Sequence, residues 1–126
     1  MARRTNGRGF IYRIGRSIAQ ADDGWDILDF GEYVVQTRTL KASRANGNVL
    51  GSSQYTLPIP VSNAKGFANI GGNGNTSTVL DWIPRCQIEP SSDNATRVIA
   101  YVHSKGGTFS ASTVQDVDIV VIGRPL

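Results

Sequence analysis

Apolar residues in this chain recur at every second position rather than every third or fourth, and that period confines the fold to β-sheet. In residues 96–104, Val98, Ala100 and Val102 alternate with Arg97, Ile99, Tyr101 and His103. In residues 116–123, Val117, Ile119 and Val121 alternate with Asp118, Val120 and Ile122. Successive strand side chains point to opposite faces, so each run offers one fully apolar face to a core. The second faces are also partly apolar, which predicts strands inside a sheet with something covering them.

Other segments follow the same rule. Residues 55–61 place Tyr55, Leu57, Ile59 and Val61 on one face and Pro58 and Pro60 in the opposite phase, which predicts an edge strand, because proline removes ladder donors. Residues 79–89 place Leu80, Trp82, Cys86 and Ile88 together, and Pro84 calls for a bulge or an edge position. Residues 10–18, 25–30 and 33–40 read as three further strands, the last two parted by Gly31. Turn residues lie between the runs: Asp23-Gly24, Asn46-Gly47-Asn48, Gly71-Gly72-Asn73-Gly74-Asn75 and Gly106-Gly107. Neither a helical period of ten residues nor an internal repeat is present. Short strands at this spacing predict an all-β, single-domain antiparallel β-sandwich or jelly-roll-like fold over residues 9–126, preceded by a basic arm at residues 1–8.

A chain of 126 residues can bury a core without disulfides or metal. One cysteine, Cys86, and one histidine, His103, leave no basis for an internal disulfide or a structural zinc site, and no cofactor is expected. No apolar stretch is long enough for an export signal or a bilayer span, so synthesis in the cytoplasm is expected. Charged residues make up only 18% of the chain, and Gly, Ser, Thr and Asn are plentiful, which suits contacts made with few charges to desolvate. Net charge is +3 but uneven: Arg3, Arg4, Arg8, Arg13 and Arg16 all precede the first acid, Asp22. Arg3, Arg4 and Arg8 are therefore read as an assembly arm that packs on a neighbouring subunit. Nucleic acid is disfavoured, because only Phe10 and Tyr12 lie among the arginines, and after Arg16 eight basic residues face ten acids.

The segments that most resemble chemical sites do not carry chemistry. Gly71-Gly72-Asn73-Gly74-Asn75 lacks the lysine and following helix of a phosphate loop, so Asn73 and Asn75 are read as tips of an exposed loop. Asp22, Asp23, Asp26, Asp29 and Glu32 do not keep a calcium-loop register; on a strand Asp26 shares the phase of Leu28 while Asp29 shares that of Ile27, so these acids diverge. His103 sits near a strand end with no nucleophile elbow, and no catalytic role is expected. Trp82 and Tyr101, with Asn73 and Asn75, are the candidates for exposed contacts to a sugar ring, although Trp25 and Trp82 also suit a core.

The opening Gly9-Phe10-Ile11-Tyr12, a mid-chain aromatic strand and the closing Asp116-Val117-Asp118-Ile119-Val120-Val121-Ile122-Gly123-Arg124 resemble small β-domain proteins of tailed bacteriophages, from tail tips, fibres or baseplates. The resemblance implies a structural, non-enzymatic protein of the virion tail, in a symmetric assembly with copies of itself and other virion proteins, whose loops contact the host surface. It assigns no site residues. A lectin-like glycan-binding module and a capsid decoration protein are the alternatives from other classes.

Overall fold

The computed structural model describes residues 24–71 and 82–126. The expected arm at residues 1–8, the strand at 10–18, Leu80, and the loop residues Asn73 and Asn75 lie outside the described residues.

Seven antiparallel strands and no helix make up the described structure: β1 (Asp26–Asp29), β2 (Val34–Asn46), β3 (Val49–Gly51), β4 (Tyr55–Ile70), β5 (Trp82–Ser91), β6 (Asn94–Ser104) and β7 (Val114–Pro125). The all-β antiparallel class is therefore as expected. Its arrangement differs from the two stacked sheets of a sandwich or jelly roll: every strand belongs to one ladder, in which β2, β3, β6, β4 and β7 close back onto β2 as a five-stranded barrel. β1 extends the barrel alongside β2, and β5 alongside β6.

Alternation decides which side chains fill the barrel. Val98, Ala100 and Val102 of β6 and Val117, Ile119 and Val121 of β7 are buried, and Leu40, Ala42, Leu50, Leu57 and Val61 belong to the same cluster. Each such Val, Leu or Ile contributes about 1.5–3 kcal/mol through burial. β6 and β7 both lie between other strands, as predicted. Their second faces point outward and are partly exposed, except at Ile99, which is buried.

The edge-strand reading of residues 55–61 is corrected. β4 is a barrel strand that pairs β6 at one end and β7 at the other, and Val61 pairs both Ala95 and Pro125. Pro58 and Pro60 sit where the β4–β6 register is interrupted, between Thr56 and Val61. The ladder missing there is replaced by a side chain: buried Gln36 accepts from Ile59 N at 3.0 Å and donates to Ile59 O at 2.9 Å. Just beyond, β4 bends through a register shift between Ser62 and Lys65, with Asn63 at φ 50°. The bend presses β4 onto Gly123 of β7, where a Cβ would come within 2.7 Å of Val61 and 2.9 Å of the Ser62 carbonyl.

Pro84 does lie on an edge strand, since β5 pairs only β6 among the described strands, and the register shift falls at Glu89 and Pro90. The turn at Gly31 is built as its sequence suggests: Gly31 has φ 89°, and its N–H donates to Asp29 Oδ1 at 2.8 Å. Left-handed backbone there is open to glycine and strained for other residues.

Candidate functional site

The sheet places Trp82 and Tyr101 on opposite faces, so they do not form one sugar-binding platform. Trp82 pairs Ser104 in the inward phase of β5, is half-buried, and packs on the core with its ring edge-on to Phe109 at 5.1 Å. Of the two roles open to Trp82, exposed sugar contact or core, its half-buried packing against the cluster fits the core. Trp25 is buried too, at 2% exposure. Tyr101 points outward from β6, half-buried, with the Arg85 guanidinium 5.2 Å from its ring centroid and His103 tilted beside it at 6.2 Å. Beneath it, Gly51 allows close approach, since a Cβ there would lie 3.3 Å from the ring.

The residues examined for chemistry are dispersed. Asp26 faces outward and is exposed, while Asp29 holds the Gly31 turn, so these acids diverge as the strand phase predicts. Among the described residues no three His, Cys, Asp or Glu side chains come together as metal ligands. The Cys86 thiol faces Gly66 across the interior, and burial pushes its pKa up to about 11, so it is protonated and unreactive at neutral pH. The two buried polar side chains among the described residues, Gln36 and Gln115, both serve the backbone: Gln115 Nε2 donates to Gly71 O at 3.0 Å and Asp116 O at 2.8 Å.

What the structure does bring together is the outer face of β1, β2, β7 and β4. Register aligns side chains across it in rows. One row runs Leu28, Val35, Ile122, Lys65; the next runs Asp26, Thr37, Val120, Phe67. Leu28, Val35, Val120 and Ile122 are half-buried and Phe67 is 53% exposed, forming an apolar strip across four strands. Polar pairs border it: Thr39 Oγ1 donates to Asp118 Oδ1, Lys41 meets Asp116 at 2.8 Å, and Arg124 covers the Tyr33 ring at 5.1 Å. The strip continues into a cleft of about 360 Å³ lined in part by Asp26, Thr37, Arg38, Thr39, Asp118 and Val120. Arg38 lies there against Tyr55, 4.6 Å from its ring centroid, and near Trp25 at 5.9 Å.

This face carries hydrogen-bonding groups and burial area. Sequence reading registered the apolar second face of residues 116–123 but missed Phe67, because residues 62–70 contain no clean alternation to mark them as strand. No family model, no curated protein and no solved structure matches the chain.

Proposed function

We propose that the protein works through contact surfaces, as a structural component of a larger assembly, and that the assembly is a bacteriophage virion, at its tail, as the sequence resemblance implies. The observation that carries the reading is the apolar strip of Leu28, Val35, Val120, Ile122 and Phe67, open on the outer sheet face and bordered by polar and charged side chains. An apolar centre with a polar rim is the anatomy of a protein–protein interface, and a contiguous, partly exposed apolar patch of this kind supports an interaction role. The charge-poor composition supports the same reading. Other virion proteins and copies of the chain are the partners, with Arg3, Arg4 and Arg8 as an additional attachment arm.

A glycan-binding reading is favoured by one observation of its own: the cleft offers Asp26, Thr37, Thr39 and Asp118 beside Arg38, a set suited to sugar hydroxyls. Saturable glycan binding that is lost in a folded Thr37→Val variant would support it.

Location tests the leading reading. Immunogold labelling should place the protein on phage tails, and deleting residues 1–8 should leave the barrel folded while weakening incorporation. Labelling of heads alone would move it to a capsid decoration role, and protein free of particles contradicts an assembly role altogether.

A further inference from the structure

The outer face of β1, β2, β7 and β4 has one feature that selects its occupant. Lys65 stands at the β4 margin of the strip and Asp26 at the β1 margin, on adjacent rows. Three strand spacings separate them, roughly 14 Å. Neither side chain makes an ion pair or hydrogen bond among the described residues, whereas Lys41–Asp116 and Thr39–Asp118 beside them are already paired. A positive charge at one margin and a negative charge at the other, with apolar residues between, is self-complementary.

We infer that this face binds the same face of a second copy of the chain around a two-fold axis. An axis lying in the face between β2 and β7, close to the strand direction, sets Lys65 of each copy against Asp26 of the other. Val35, Val120 and Ile122 of the two copies then pack together in the centre, and Phe67 of each copy covers the β1 margin of the other. Isologous contact of this kind needs one patch used twice, which is the arrangement on this face. The free edges of the sheet favour a face over strand addition. β5 carries Pro84 and Pro90, which withhold donors, and β1 is four residues long. The inference rests on the assembly reading and names its partner.

The test is sedimentation equilibrium on the full chain, with circular dichroism to establish that each variant folds. The wild type should associate in multiples of two. Lys65→Asp and Asp26→Lys should each weaken association about tenfold or more, because each sets like charges together at a desolvating contact. The two substitutions combined should restore it, since the reversed charges pair again. Phe67→Asp should abolish it. A monomeric wild type, association unmoved by any of these variants, or a double variant that is not restored overturns the pairing. So does association lost on deleting residues 1–23 but retained in the charge variants, which assigns the contact to that segment. A monomer that still labels phage tails leaves the assembly role standing with a different partner. A monomer absent from particles removes both.

Discussion

Gln36 is fully buried, yet it replaces a missing piece of β-ladder, and its two hydrogen bonds to Ile59 are what make the proline-containing stretch of β4 compatible with a barrel wall. Gln36→Leu preserves volume but leaves the Ile59 N–H and C=O without partners. Unfolding free energy measured in urea should fall by about 2–4 kcal/mol, from one to a few kcal/mol for each unsatisfied group. Nothing in the string Val34-Val35-Gln36-Thr37 separates a buried amide from an exposed one, because the residue it serves lies in a different strand. Cys86 gives a second prediction. Its folded pKa is raised to about 11 by burial, so the unfolded chain loses this proton first as pH rises. Its contribution to stability is complete below the unfolded pKa, near 8.5, and is lost progressively as pH rises through the folded value. The difference in unfolding free energy between wild type and Cys86→Ala should stay constant from pH 6 to 8. It should then shrink at alkaline pH, and a difference unchanged to pH 11 contradicts the burial.

At the scale of elements, β4 shows what alternation reveals and what it hides. Tyr55, Leu57, Ile59 and Val61 announced a strand, and Leu57 and Val61 are indeed buried. The prolines argued for an edge, since local chemistry cannot show that a side chain from β2 replaces the absent donors. The continuation to Ile70 was hidden because its inward positions are the small residues Ala64, Gly66 and Ala68, which leave room for β5. A Cβ at Gly66 would lie 2.9 Å from Cys86 Sγ. β6 and β7 were legible over residues 96–104 and 116–123, where β-branched residues keep strict phase, whereas buried Gln115 at the start of β7, which bonds Gly71 O, left no local sign. The bend of β4 makes its own prediction. Gly123→Ala drives a methyl into Val61 and the Ser62 carbonyl, and since one of these is backbone, relief requires the bend to open. The variant should be destabilised by about 1–3 kcal/mol, read as a lowered thermal midpoint, and an unshifted midpoint contradicts the close approach.

For the whole molecule, strand content was evident from period alone, but closure was not. Whether seven strands make two stacked sheets or one closed ladder depends on which distant segments share hydrogen bonds, and β2 meeting both β3 and β7 has no local signature. The same limit applies to the contact face. Leu28, Val35, Val120 and Phe67 are far apart along the chain and become neighbours only through register. On the proposed reading the molecule acts through this outer face, which is covered on assembly. Hydroxyl-radical footprinting of the full chain, dilute and assembled, measures that covering directly, with Tyr101 on a different strand as reference. Oxidation of Phe67 should fall several-fold on assembly while that of Tyr101 is unchanged. Equal reactivity of Phe67 in both states would contradict the account.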